Sequence, residues 1–294
     1  MNNKTFVGIL CGLGAAAIWG GMYVVSKVVL EIIPPFTLVS LRLLLGILTL
    51  AIVLAMRRLP KFSRNQFLQV VGVGLVGYGV SLSLQFLGTK LSTAANGSLV
   101  TSATPAFVLL FAWLLLKEKI TTRRLLALLL ATGGVIAVID PRSAQLNPDL
   151  FIGNLLLFGA AITWALYSVL VRKMTQSLDV LPFSLVAFFG GLPVTIPATV
   201  WELNTAGVGE ISLGVVGGVL FLGVISTALA MILWNTAFAV LDASAASLTF
   251  FAQPVVGTFL GWLFLGERIT SLFISGGLLI SIGIVISSTE KPKT

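Results

Sequence analysis

The sequence predicts an all-helical, polytopic membrane protein with ten transmembrane helices arranged as two inverted five-helix repeats. Three observations lead there: too little charge for a water-facing surface, apolar runs of bilayer length, and two halves that resemble each other. Of 294 residues, 57% are hydrophobic and 10% charged, against roughly 25% charged in soluble domains. Between Gln66 and Leu116 the one charged residue is Lys90, so this stretch must face lipid or other apolar chain.

A spanning helix needs about 20 apolar residues. Ten such runs occur, at 6–30, 35–56, 67–89, 93–116, 123–140, 150–172, 180–201, 211–234, 241–265 and 271–289. Pro34-Pro35, Pro60, Pro141 and Pro148 fall between runs, and Thr121-Thr122 and Thr270-Ser271 stand where they would cap the helices that follow. Loops are therefore short, and no extramembrane domain is expected.

Basic residues set the orientation. Ten spans put both termini on one side, and that side collects 13 of the 18 Lys and Arg, including Arg57, Arg58, Lys117, Lys119, Arg123 and Arg124. By the positive-inside rule the termini are cytoplasmic. The same clustering explains a net charge of +8 without nucleic acid as a partner. No histidine is present and Cys11 is the single cysteine, which excludes imidazole metal sites, His-based catalysis and an intrachain disulfide. No cofactor, no metal and no enzymatic activity are expected. The oligomeric state is left open and is compatible with a monomer.

The halves align at a slowly drifting offset. Gly14-Ala15-Ala16 and Trp19 fall on Gly159-Ala160-Ala161 and Trp164. Pro35-Phe36-Thr37-Leu38-Val39 falls on Pro182-Phe183-Ser184-Leu185-Val186. Further on, Pro105, Trp113, Glu118 and Ile120-Thr121 fall on Pro254, Trp262, Glu267 and Ile269-Thr270. The division runs 1–146 and 147–294. Five spans per half is an odd number, so the second half inserts upside down. Two similar units packed head to tail can exchange conformations and expose a midplane site to either side in turn.

These features resemble the drug/metabolite transporter superfamily, in its ten-helix branch with two EamA-type repeats. The resemblance rests on Ile18-Trp19-Gly20-Gly21, Arg42, and Pro105 followed by Glu118-Lys119-Ile120-Thr121, repeated as Pro254 and Glu267-Arg268-Ile269-Thr270. It implies a basket of helices around a central cavity, and within the family the chain looks most like YddG-type exporters of aromatic and other amino acids. The implied partners are a small-molecule substrate and the lipid bilayer, in the cytoplasmic (inner) membrane. One departure is visible: Phe189 stands where the repeat register would place a mate for Arg42.

All ten acids lie in loops, tails or near helix ends. Proton-coupled carriers usually hold an ionisable group within the membrane, so a facilitator, or coupling that uses no buried acid, is expected. Mid-helix polar groups are neutral, and the bulkier Tyr78, Asn96 and Gln253 are candidates for a substrate cavity. Trp19 and Trp164 lie deep rather than at the interfaces, where they could fill the core or stack on a solute together with Tyr78 and Tyr167. Trp113 and Trp262, near helix ends, are expected in the aromatic belt. Arg42 is expected to snorkel or to pair with Glu31, with contact to a substrate anion as the alternative. Glu118 and Glu267 are expected to accept N–H bonds from the start of the next helix. Pro105 and Pro254 should kink helices 4 and 9 in mid-span, as hinges or as permanent bends. A small zwitterionic or apolar metabolite, an amino acid foremost, suits a path without fixed charge. A multidrug carrier and a non-transporting structural subunit are the rival readings.

Overall fold

The structure, a computed structural model, describes residues 3–55, 62–92, 97, 100–139, 150–265 and 271–288. Every element among them is helical. In chain order these are α1 (Asn3–Ile32), α2 (Pro35–Ala55), α3 (Arg64–Leu91), α4 (Thr104–Leu116), α5 (Thr122–Ile139), α6 (Phe151–Met174), α7 (Val180–Thr205) and α8 (Leu213–Val240). Next comes α9, running from Ala243–Leu248 through a 3₁₀ turn at Thr249–Phe251 into Ala252–Leu265, and then α10 (Ser271–Ser288). Among the described residues, α1, α2, α3, α6, α7 and α8 are the six helices long and apolar enough to cross a membrane. Among the described residues the remaining predicted spans coincide with α4, α5, α9 and α10, of which α9 is interrupted by its 3₁₀ turn. Large apolar side chains such as Val28, Ile52, Leu129, Leu278 and Val285 are each about 60% exposed on the outer faces, the pattern of a protein solvated by lipid.

Local chemistry accounts for the helix starts. Ser63 and Gln66 form a reciprocal capping box at α3, and Ser212 accepts from the Val215 amide at α8. Thr121 accepts from the Arg124 amide at the start of α5, as expected. Two anticipated kinks take another form. Pro105 stands in the first turn of α4, after a turn at Ser102-Ala103, and Pro254 stands in the first turn after the Thr249–Phe251 break. A proline lacks the N–H that a first turn leaves unused anyway. Each therefore restarts a helix rather than bending a continuous one.

The packing has a two-fold pattern. α1 lies on α8 and α9, and its mate α6 lies on α3 and α4; α2 packs on α7, and α5 on α10. The last two pairs are repeat mates, and both run antiparallel. On α2 and α7, Thr37 meets Glu202, Ser40 meets Thr199, and Gly46 faces Phe188. On α5 and α10, Gly134 faces Gly276 and Ala127 faces Gly283. The halves are thus inverted relative to each other. The division at 146/147 falls outside the described residues.

A second symmetry was not legible in composition. α3 and α8 each widen into π-helical turns, at Leu75–Ser81 and Phe221–Leu229. The Leu82 amide reaches back five residues to the Gly77 carbonyl, and the Ala230 amide reaches back five to that of Ile225. Both bonds sit at one repeat offset. Such turns occur preferentially at functional sites.

Candidate functional site

The π turns and the helix breaks converge on one cavity. It is lined by Trp19 and Met22 of α1, Arg42 of α2, Ser81, Leu82 and Gln85 of α3, and Thr101 and Thr104 beside the α4 break. The opposite half adds Ala160, Ala161 and Trp164 of α6, Met231 of α8, and Phe250 and Gln253 at the α9 break. The cavity volume is about 30 Å³, room for about two waters. In this conformation the space is far smaller than a metabolite.

Aromatic rings form its wall. Trp19 meets Trp164 edge-on at 5.6 Å and Trp234 at 5.3 Å, and Trp234 meets Phe250 at 5.6 Å. The repeat-related pair Trp19 and Trp164 therefore meets at the junction of the halves. Their hydrogen bonding differs: the Trp19 indole donates to the Ser226 carbonyl at 3.1 Å, inside the α8 π turn, whereas Trp164 Nε1 has no partner among the described residues. Trp234 escaped the sequence reading because its predicted span ended at 234. α8 continues to Val240, which carries Trp234 into the interior, where its indole donates to Ser168 at 3.1 Å.

Tyr78 and Tyr167 lie behind this wall rather than on the cavity surface. Their hydroxyls bond each other, Tyr167 donates to Asn235 at 2.8 Å, and Asn235 donates to Ser184 at 2.9 Å. That chain links α3, α6, α8 and α7, so it satisfies buried polar groups across four helices. Tyr23, not singled out from sequence, bonds two residues that line the cavity: Gln85 donates to its hydroxyl at 2.9 Å, and Thr101 lies at 3.2 Å. Asn96 lies outside the described residues.

Arg42 departs most from expectation. It neither snorkels nor pairs with Glu31; it is fully buried. Its Nε donates to Thr227 at 3.0 Å and Nη2 to Ser226 at 3.3 Å, while the guanidinium lies over the Phe86 ring at 4.5 Å. The α8 π turn presents both hydroxyls toward α2, so the head turns inward to these acceptors rather than out to the interface. Nη1 has no partner among the described residues. Its counterpart by register, Phe189, is 45% exposed on the outside, so the two halves differ here in burial as well as in sequence.

Carboxylates hold the ends. Glu118 accepts from the Ala243 and Ser244 amides at 2.8 and 3.3 Å and from the Ser244 hydroxyl at 2.7 Å. It thus caps a helix start, as expected, but that of α9 in the opposite half rather than the next helix. Arg124 bridges Glu118 and Asp242, and Arg172 approaches Asp242 at 3.8 Å. Glu202, given no role from sequence, caps α2 by accepting from the Phe36 and Thr37 amides at 3.1 and 2.8 Å. Glu267 lies outside the described residues. Trp113 is half exposed, in keeping with a lipid-facing belt position; the side chain of Trp262 lies outside the description. Among the described residues no carboxylate lines the cavity, and no cluster of metal-binding side chains is present.

Comparison with known proteins agrees with this architecture. The EamA-like transporter family matches twice, over residues 6–139 and 151–289. The uncharacterized transporter YoaV of Bacillus subtilis is 25% identical over 97% of each chain. An uncharacterized transporter of Archaeoglobus fulgidus is 26% identical over 99% of each chain. A solved crystal structure, 20% identical in sequence, superposes with a TM-score of 0.78 over 95% of this chain and 96% of that one, which shows the fold.

Proposed function

The chain belongs to the EamA-like transporter family, and we propose that it exports small metabolites, neutral and aromatic amino acids foremost, by alternating access through the central cavity. In this reading ten helices cross the cytoplasmic (inner) membrane, both termini are cytoplasmic, and the halves 1–146 and 147–294 rock against each other. Trp19, Trp164, Arg42, Gln253, Tyr78, Tyr167 and Asn96 form or back the substrate site, and the breaks at Pro105 and Pro254 serve as hinges.

The observation that carries the reading is the cavity. It lies where two π turns and two broken helices from inverted halves meet, with an aromatic wall, neutral polar groups and one cation. Discontinuous helices at a repeat interface are where transporters bind solute. A cavity of about 30 Å³ must open for an amino acid, and opening by relative motion of the halves would expose one side at a time. With no acid lining the cavity among the described residues, coupling through a buried carboxylate has no support here.

The test is purified protein in liposomes, assayed with labelled amino acids, organic cations and sugar phosphates. Saturable amino-acid flux is expected. The apolar aromatic wall favours a second reading, a carrier of drugs or other hydrophobic metabolites, which organic-cation flux without amino-acid flux would establish. Absence of flux for every probe would leave a structural membrane subunit.

A further inference from the structure

Of six buried side-chain polar atoms without a partner among the described residues, three belong to side chains that line this one cavity: Arg42 Nη1, Trp164 Nε1 and Gln253 Oε1. Buried polar groups are nearly always bonded, and each exception calls for a reason. One shared location suggests one shared reason. The three comprise two donors, one of them cationic, and one acceptor.

Arg42 is also held as a recognition element would be. Nε and Nη2 are fixed by Thr227 and Ser226, and Phe86 supports the plane, which leaves Nη1 as the outward prong of a rigid fork. No described carboxylate forms a salt bridge with it. A buried charge without a counter-ion is costly, and an anion entering the cavity would offset the part that the two hydroxyls and the Phe86 ring do not. Trp164 has the same character by contrast with its mate: the Trp19 indole is tied to the Ser226 carbonyl, and that of Trp164 is free. In the Gln253 amide the carbonyl oxygen is the unmatched end among the described residues.

We infer that Arg42, Trp164 and Gln253 form a head-group subsite for carboxylic acids bearing a hydrogen-bond donor on the adjacent carbon, that is, 2-amino or 2-hydroxy acids. The carboxylate accepts from Arg42 and Trp164, and the adjacent ammonium or hydroxyl donates to Gln253. Met22, Leu82, Met231 and Phe250 offer the remainder of the solute an apolar surface. One cation matches a monoanion and not a phosphate dianion, which calls for paired bases. Arg42 belongs to one half and Trp164 and Gln253 to the other, so occupation ties the halves together. The assignment rests on the transport reading above and narrows it to a functional-group pattern.

The test uses four probes sharing a phenyl ring: phenylalanine, phenyllactate, 3-phenylpropionate and 2-phenylethylamine, measured by flux into liposomes and by competition. Wild type should favour the first two, take 3-phenylpropionate less well, and ignore the amine. Arg42→Gln should weaken all three acids by about 10- to 100-fold, the scale of a hydrogen bond to a charged group; Arg42→Lys should fall between. Gln253→Leu should bring phenylalanine and phenyllactate down to the level of 3-phenylpropionate. Monodispersity and thermal stability check that each variant folds; if Arg42→Gln does not, competition on wild type decides alone. An amine that competes as well as the acids would overturn the subsite and leave transport standing. Flux of none of the acids would overturn both.

Discussion

Replacing Glu202 by alanine should destabilise the protein without touching its cavity. The first turn of α2 leaves orphan donors, and each is accounted for. Pro35 has no N–H, Phe36 and Thr37 donate to the Glu202 carboxylate at 3.1 and 2.8 Å, and Leu38 donates to the Pro34 carbonyl at 2.9 Å. The Thr37 hydroxyl adds a third bond to that carboxylate at 3.0 Å, and Glu202 is only 5% exposed. Glu202→Ala leaves two backbone amides unmatched. At about 1–3 kcal/mol for each unsatisfied donor the cost is about 2–6 kcal/mol, with the lower half of that range favoured because Phe36 is only partly buried. Glu202→Gln keeps one acceptor oxygen and should cost about half as much. Unfolding in mixed detergent micelles, followed by circular dichroism, measures both. A Glu202→Ala protein as stable as wild type, or a Glu202→Gln protein as damaged as Glu202→Ala, would refute the capping argument.

Gly72 and Gly74 lie two residues apart on α3 and should respond oppositely to alanine. A Cβ at Gly72 meets nothing within 4 Å, whereas one at Gly74 would collide with the Ala187 carbonyl. Gly72→Ala should be neutral or stabilising by up to about 1 kcal/mol, and Gly74→Ala should lower the melting temperature or prevent folding, both read by fluorescence-detected size exclusion. Glu118→Ala removes the cap that joins the α4–α5 loop to α9 and should cost about 1–3 kcal/mol, less than Glu202→Ala because Glu118 is more exposed; thermal melts rank the two. Changing Pro105 and Pro254 together to alanine restores two amides and lets the interrupted helices run on. Turnover should fall several-fold with solute affinity retained, and unchanged turnover in liposomes would remove the hinge role.

Hydropathy located helices well and facing poorly. Windows of about 20 residues report whether a stretch lies in lipid, and the six long helices start within three residues of their predicted bounds and end within six. Repeat register singled out Trp19 and Trp164, which do meet. Facing is another matter, because one π turn adds a residue and rotates everything beyond it by about 100° relative to a 3.6-residue helix. Ser81, Ser226 and Thr227 lie within such turns, so no periodicity could assign their partners. Arg42 was judged by its depth along α2, whereas its direction is set by the Ser226 and Thr227 hydroxyls of a helix more than 180 residues away. Glu202 sits at a helix end, where an acid reads as a surface residue, and its role depends on α7 running antiparallel to α2.

The matched π turns also put events in order. A single added residue in one half would be an accident of that half. The same widening occurs in α3 and in α8, with the Gly77–Leu82 and Ile225–Ala230 bonds at one repeat offset. The simplest history places the insertion in a five-helix ancestor, before its gene was copied and joined to itself. Arg42 and Phe189 then record what came later, when two once-identical halves diverged in residue type and burial.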